Sequence, residues 1–198
     1  MINTAATMNT APITPIRLEP IRWTFAWNLR GDASAAAFVS AAERALQLSL
    51  PLTACTTTHG AGRSALWLGP RSWLTIGGAD DENVDFESAR SACNATGGAL
   101  FDLTAAYAGW LVSGALATTV LNRGCPLDLS AHAFGAGRCA QSLLGHIPAL
   151  LYRPGNDPRF VVMVERSLAV GALRKLRGYA EPEGYAIAAE TSFNFESP

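Results

Sequence analysis

The chain has 198 residues, of which 49% are hydrophobic and 16% are charged, and its formal net charge is −1. The high hydrophobic share excludes a disordered chain. The balanced charge argues against a nucleic-acid binder or a protein of anionic membrane surfaces, and no stretch of about 18 apolar residues could cross a membrane. A chain so poor in charge is expected to bury part of its surface in an assembly.

The N-terminal residues and the cysteines both favour a cytoplasmic protein. Residues 1–15 lack the basic and apolar regions of a signal peptide. The four cysteines, Cys55, Cys93, Cys125 and Cys139, are widely spaced and form no C-x-x-C pair. Buried free thiols are therefore favoured over a disulfide framework. The three histidines lack metal-ligand spacing, so no metal site is expected.

The first elements along the chain are a tail, a strand and a helix. Residues 1–20, rich in Thr, Asn, Ala and Pro, predict a flexible N-terminal tail. An aromatic-rich strand is predicted over about 22–29. Apolar residues at helical spacing from 35 to 46 predict a helix that Asp32 caps. Pro51 is expected to end that helix, because the residue before a proline avoids the helical region.

A hairpin and a second helix follow. The strand-like runs 65–68 and 73–76 flank a Gly-Pro turn, which predicts a β-hairpin. A helix is predicted over about 83–96, where Gly97-Gly98 stops it.

The second half of the sequence repeats this order of elements. A strand at 110–114 is followed by a short Ala-rich helix at about 115–122. The runs 149–152 and 160–164 predict a second hairpin, and a last helix is predicted over 167–178. The repetition predicts an α+β fold built from a duplicated strand–helix–strands–helix unit.

These elements predict one domain with two tails. The compact domain is expected over 21–181, with pseudo-repeats at about 21–98 and 99–181. Residues 182–198 are expected to form a C-terminal tail that is either loose or docked on the domain.

Two local motifs resemble parts of active sites. Gly60-Ala61-Gly62-Arg63 superficially fits a dinucleotide-binding fingerprint, and Gly135–Arg138 repeats it, but a strand rather than a helix follows, so plain turns are favoured.

Asp102 and Asp128 stand at predicted element ends. Either carboxylate could be catalytic, but acceptors in caps or turns are favoured, because no partner stands at a defined spacing.

The tryptophans raise a different possibility. Core packing in strands is the ordinary role of each of the five, whereas anchoring of a partner is the alternative. Trp67 and Trp73 flank one Gly-Pro turn and are the leading candidates for a subunit interface. No catalytic, cofactor-binding or metal-binding residue is predicted in this chain.

Three segments together resemble a known family. They are Ser64-Ala65-Leu66-Trp67-Leu68-Gly69-Pro70-Arg71-Ser72-Trp73-Leu74, Leu121-Asn122-Arg123-Gly124-Cys125-Pro126-Leu127-Asp128-Leu129 and Val164-Glu165-Arg166-Ser167. In this order they are similar to the gamma subunit of heterotetrameric sarcosine oxidase, and the likeness runs from about residue 28 to 176. That family resembles the folate-binding domain of the glycine-cleavage T-protein, so the implied fold is a duplicated α+β unit.

The resemblance implies a non-catalytic structural subunit of a sarcosine oxidase-like complex. Such a complex oxidatively demethylates an N-methyl amino acid and passes the one-carbon unit to tetrahydrofolate. The resemblance implies larger alpha and beta subunits and a small delta subunit as partners. It also implies that FAD, FMN, NAD and tetrahydrofolate are held by those other subunits and not by this chain.

Two departures from the T-protein argue against an independent folate enzyme. The stretch Leu144–Leu151, nearest to the T-protein's acidic turn, has no acid, and a C-terminal barrel domain is absent from the sequence. Two other functions stay open. One is a stand-alone folate-binding or aminomethyltransferase-like protein, in which Asp102 would be the first substitute carboxylate to test. The other is an adaptor unrelated to one-carbon chemistry.

Overall fold

The computed structural model describes residues 16–60, 62–78 and 85–192. The helices and strands within these ranges are, in chain order, β1 (Ile16–Arg22), β2 (Phe25–Arg30), α1 (Ala36–Leu46), β3 (Thr57–Gly60), β4 (Arg63–Gly69), β5 (Ser72–Gly77), α2 (Phe86–Asn94), β6 (Ala99–Asp102), β7 (Tyr107–Ser113), α3 (Ala117–Asn122), β8 (Arg138–Leu144), β9 (Ile147–Arg153), β10 (Arg159–Glu165), α4 (Ala169–Ala180), β11 (Tyr185–Ile187) and β12 (Thr191–Ser192). None of these helices is long and apolar enough to cross a membrane.

The strands form two sheets. The five-stranded sheet has the order β3-β4-β5-β2-β6, and the seven-stranded sheet has the order β11-β1-β7-β10-β9-β8 with β12 also beside β1. The pairs that β11 and β12 make with β1 are parallel. The other neighbours run antiparallel.

The sheets pack face to face, and each carries helices on its outer face. The central strands β2, β9 and β10 are buried almost without interruption, so that each sheet buries both faces. Between the sheets lies a core that contains Leu66 and Ile76 from one and Val161 and Met163 from the other. Helices α1 and α2 cover the five-stranded sheet, and α3 and α4 cover the seven-stranded sheet. The result is four layers, helices–sheet–sheet–helices.

The two sheets share one order of elements. In each, a long strand leads into a helix, three strands follow, and a second helix closes the unit, with β2 and β7 in the same position. Beside β2 lies β6, which pairs Leu100 with Leu29. Beside β7 lies β1, which pairs Leu18 with Val112. The first strand of the chain therefore completes the second sheet.

The structure describes parts of both expected tails. The flexible tail predicted over 1–20 is wrong for residues 16–20, because they lie in β1 and Ile16 and Leu18 are buried in the core. Residues 1–15 lie outside the described residues. From 182 to 192 the C-terminal segment docks, as β11 and β12 pair with β1. Residues 193–198 are not described.

The first predicted helix has different ends. Asp32 does not cap it; its carboxylate accepts a hydrogen bond from the Ser34 N–H at 2.9 Å, which forms a turn before α1 begins at Ala36. The helix ends at Leu46, well before Pro51, because Gln47 adopts the left-handed region at φ 50. Local backbone geometry, and not proline, ends α1.

We expect Gly98→Ala to destabilise the fold by about 1–3 kcal/mol, because overpacking a filled core forces neighbours to shift. A Cβ at Gly98 would lie 2.2 Å from the Phe38 ring and 2.9 Å from the Arg30 carbonyl oxygen. Gly178→Ala is the control, since a Cβ there meets nothing within 4 Å and alanine favours the helical backbone by about 1 kcal/mol. Urea unfolding of both variants measures the difference; equal stabilities would contradict the close packing at Gly98.

Candidate functional site

The Trp67–Trp73 hairpin is only in part available to a partner. Trp73 is fully buried in the core beneath α1 and α2, and its indole N–H donates to the Pro51 carbonyl oxygen at 2.8 Å. The expectation that Trp73 anchors a partner is therefore wrong, because no part of its side chain reaches the surface. Trp67 lies opposite Trp73 and is half-buried against the same core. Its role in an interface stays a prediction.

A cleft opens where the two sheets are joined by the chain. Its volume is about 860 Å³. The links β1–β2 and β6–β7 both line it, which is why residues distant in the sequence meet there. The side chains that shape it include Arg22, Trp23, Tyr107, Trp110, Arg166 and Glu190. We call this space the junction cleft.

Both arginines that line the junction cleft, Arg22 and Arg166, bind other groups of the chain. The Arg166 guanidinium donates to the carbonyl oxygens of Ala105 and Tyr107, each at 2.6 Å. Arg22 pairs with Glu190 at 2.8 Å across the exposed rim. The cations hold the loops of the cleft in place, and its inner wall is largely aromatic and apolar. Such a wall suits a flat or extended apolar group.

Gly109 sets the shape of the aromatic wall. A Cβ at this position would lie 2.7 Å from the Trp23 ring, so only glycine lets the indole pack flat on β7. Trp23 is then held by a hydrogen bond from its N–H to the Thr104 carbonyl oxygen at 3.3 Å.

Asp102 lines the junction cleft, but its carboxylate is engaged in a turn. It accepts hydrogen bonds from the Thr104 N–H at 2.9 Å and from the Thr104 hydroxyl at 2.5 Å. Asp128 accepts likewise from the Ser130 N–H at 2.9 Å, and this bond lowers the pKa of Asp128. The predicted role of both aspartates as turn acceptors is confirmed.

The two Gly-x-Gly-Arg segments are turns, as predicted. Gly62 and Gly137 have the same positive φ of 74, which glycine adopts without strain. Each is followed by a strand, β4 and β8 respectively, and no helix N-terminus faces either loop to hold a pyrophosphate. Residue 61 lies outside the described residues.

The acid-free stretch Leu144–Leu151 forms a tight hairpin between β8 and β9. Gly145 has a φ of 66, and its N–H donates to the Gly124 carbonyl oxygen at 2.7 Å. A Cβ at Gly145 would meet Lys175 and Tyr179 of α4, both at 2.9 Å. Lys175 and Tyr179 of helix α4 therefore pack against one side of this turn, while His146 stays exposed.

A polar cluster at the open edge of the inter-sheet core was not found by sequence reasoning. The His59 ring nitrogen Nδ1 lies 2.8 Å from the Ser64 hydroxyl, and the Tyr152 hydroxyl lies 3.2 Å from the same imidazole. His59 and Ser64 face each other across β3 and β4, whereas Tyr152 comes from β9 of the other sheet. Because His59 and Tyr152 are 93 residues apart in the sequence, no local sequence pattern indicates that they meet.

The chemistry of this cluster is structural. A histidine next to a serine hydroxyl can activate it as a nucleophile, but Ser64 is fully buried and no substrate can reach its oxygen. Burial also raises the pKa of Tyr152 and raises that of the neighbouring Cys139 thiol to about 12. Desolvation lowers the pKa of His59, which favours its neutral ring. The cluster ties the two sheets together.

The sheets are also joined by backbone bonds beside this cluster. The Thr57 N–H donates to the Gly137 carbonyl oxygen at 2.9 Å, and the Cys139 N–H donates to that of Cys55 at 3.1 Å. These bonds connect β3 of one sheet to the start of β8 in the other. In the described ranges, no three His, Cys, Asp or Glu side chains come together in a way that could hold a metal ion.

The comparisons with known proteins point to one family. Residues 30–176 match the model of the sarcosine oxidase, gamma subunit family. The chain is 35% identical over 101 residues to sarcosine oxidase subunit gamma of an Arthrobacter species, an alignment that covers 51% of this chain and 49% of that protein. With the same subunit of Corynebacterium sp. strain U-96 it is 32% identical over 96 residues, 48% of this chain and 46% of that one. The chain thus spans about half the length of the curated relatives it matches.

Solved structures show the same fold. A chain of heterotetrameric sarcosine oxidase from Corynebacterium sp. U-96, in complex with pyrrole 2-carboxylate, superposes with a TM-score of 0.78 at 23% identity, over 87% of this chain and 88% of that one. The glycine cleavage system aminomethyltransferase T from Bartonella henselae superposes with a TM-score of 0.62 at 14% identity, over 90% of this chain and 48% of that one. The resemblance predicted from the sequence is confirmed.

We expect Trp73→Ala to cost about 3–5 kcal/mol of stability, the range for removing a buried large aromatic side chain. Trp67→Ala is the matched variant on the facing strand, and it should cost less, because Trp67 is only half-buried. Thermal melting of the two variants measures the difference. A Trp73→Ala chain as stable as the Trp67→Ala chain would contradict the burial of Trp73.

We expect stability to fall as the pH drops through about 6.5, the ordinary histidine value. The pKa of His59 is lowered in the folded chain, so the unfolded chain binds the proton more readily and protonation favours unfolding. His59→Gln should flatten the pH dependence of the melting temperature between pH 7.5 and 5, whereas His146→Gln, in an exposed turn, should not. An unchanged slope in His59→Gln would contradict this assignment.

Proposed function

Because this chain belongs to the sarcosine oxidase gamma subunit family, we propose that it is a non-catalytic structural subunit of a sarcosine oxidase-like flavoenzyme complex. The observation that carries the proposal is the family match, which spans residues 30–176 and so includes strands of both sheets. In our proposal the complex oxidatively demethylates an N-methyl amino acid, with sarcosine as the first candidate, and transfers the one-carbon unit to tetrahydrofolate.

In this proposal, other subunits bind the cofactors and carry out the reaction. FAD, FMN, NAD and tetrahydrofolate would be held by larger alpha and beta subunits, with a small delta subunit as a further partner. The chain's own groups support this division. The hydroxyl beside His59 is buried, the Cys139 thiol has a raised pKa, and Asp102 and Asp128 are engaged in turns.

The architecture supports a scaffold role in a second way. The two sheets share one order of elements, and we infer that the fold is a duplicated unit. Each half covers the inner face of the other, so the two sheets bury a shared core and the chain presents a rigid body. A rigid body of this kind can hold larger subunits in a fixed relation.

One observation favours a second function, the binding of a reduced folate. The junction cleft has a volume of about 860 Å³ and aromatic walls that include Trp23, Tyr107 and Trp110. Aromatic faces stack on flat heterocycles, and arginines at the rim suit a carboxylate tail. We rank this function second, because the arginines of the cleft already have partners in the chain.

Co-expression with flavin-binding large subunits tests the first proposal. We expect the chain to co-purify with them in a fixed ratio, and we expect the chain alone to carry no flavin absorption band and no activity on sarcosine. A flavin band that the lone chain keeps through gel filtration would contradict the proposal. So would a chain that never enters the complex.

Titration with tetrahydrofolate separates the two functions. Saturable binding to the lone chain in the low micromolar range, about −8 kcal/mol, would favour the folate-binding function. Trp110→Ala, in the wall of the cleft, should then abolish that binding, while Trp67→Ala outside it should not. A titration that does not saturate agrees with the scaffold role.

A further inference from the structure

The outer edge of β6 is open. Strand β6 is the last strand of the five-stranded sheet, and no other strand of the described residues lies beyond it. The Leu103 N–H donates to the Ala26 carbonyl oxygen at 2.8 Å. Backbone groups alternate in direction along an antiparallel strand, so those of Leu100 and Asp102 point away from the sheet. An edge of this kind is a template for another strand.

In the seven-stranded sheet, the edge that corresponds to the outer edge of β6 is covered by another strand. There β1 lies beside β7 as β6 lies beside β2. Leu18 pairs with Val112, as Leu100 pairs with Leu29 in the other sheet. Strand β11 pairs in parallel with the outer edge of β1, and the Ala188 N–H donates to the Leu18 carbonyl oxygen at 3.1 Å. The chain itself thus shows what covers such an edge.

The strand that covers β1 carries an aromatic side chain. Tyr185 of β11 lies beneath Arg177 of α4, whose guanidinium carbon is 5.9 Å from the centre of the ring. The Arg177 guanidinium also donates to the Tyr185 hydroxyl at 2.8 Å. A helix arginine and an added aromatic residue therefore hold the extra strand in place.

The open edge of β6 has a comparable arginine. A groove of about 400 Å³ runs between α2 and β6, and Phe86, Arg90 and Phe101 line it. Phe101 is 50% exposed. Arg90 is held only by Glu87 of its own helix, at 3.4 Å, and both side chains face solvent. A cation in this groove suits a neutral or acidic segment with an aromatic residue, because a cation attracts the face of a ring.

We propose that an extended segment of another subunit adds to β6 as a parallel strand, with an aromatic side chain in the groove beside Arg90 and an adjacent residue against Phe101. The inference rests on the proposed function, because it takes the partner from the same complex. Backbone bonds to Leu100 and Asp102 provide the pairing, and the groove selects the side chain. The segment carries no basic residue beside its aromatic one, because Arg90 repels a second cation.

Hydrogen exchange in the co-expressed complex tests the pairing directly. We expect the amides of Leu100 and Asp102 to exchange about a hundredfold more slowly in the complex than in the lone chain, as backbone pairing protects them. Equal exchange in the two states overturns the inference and leaves the subunit assignment intact. Failure of the chain to join the large subunits at all overturns both.

Charge variants test the groove. Phe101→Glu and Arg90→Glu should each weaken assembly at least about tenfold, with the melting temperature of the lone chain unchanged. The matched controls are Leu143→Glu, an exposed apolar residue of β8, and Arg174→Glu, an exposed residue of α4; both should assemble normally. Assembly of the β6 variants at full affinity, or a complex in which β6 pairs with a second copy of this chain, overturns the inference.

Discussion

The burial of one sheet against the other is the constraint on which the rest of this structure depends. Leu66 and Ile76 of the five-stranded sheet and Val161 and Met163 of the seven-stranded sheet form a core that neither sheet could bury alone. Burial of apolar surface is the dominant favourable term in folding, so the halves fold as one body. The polar contacts of His59 with Ser64 and Tyr152 close one edge of that core.

This packing decides where the chain can act. Both faces of each sheet are covered, by the other sheet or by helices, so the surfaces left for a partner are the sheet edges, the outer helix faces and the junction cleft. The carboxylates of Asp102 and Asp128 are engaged in turns, and three of the four cysteines are buried, whereas Cys55 is partly exposed. The sheet edges, helix faces and cleft are the surfaces through which a structural subunit, as proposed for this chain, would contact its partners.

Much of the local structure follows from the sequence pattern, since periodic apolar residues specify elements wherever the face they form is buried. The hairpin of β4 and β5 and the helices α1 and α2 were predicted from that pattern. Strands β3, β6 and β11 were missed because they have only three or four residues. Strand β1 was missed because its segment, which contains Pro20, was predicted to be a tail, and β8 was missed because polar residues interrupt it. The role of Trp73 was wrong for a related reason: a pattern identifies an apolar residue, but only packing decides whether it reaches the surface.

The sequence by itself determined the charge-poor composition, the α+β class, the repeated order of elements and the family resemblance, because each depends on residue identity and local spacing. The tertiary structure alone decided that β1 completes the second sheet, that His59 meets Tyr152, and that the outer edge of β6 is open where the edge of β1 is covered. These features join residues from about 90 to about 170 positions apart. Such pairings depend on the total surface that the folded chain buries, and no local pattern encodes them.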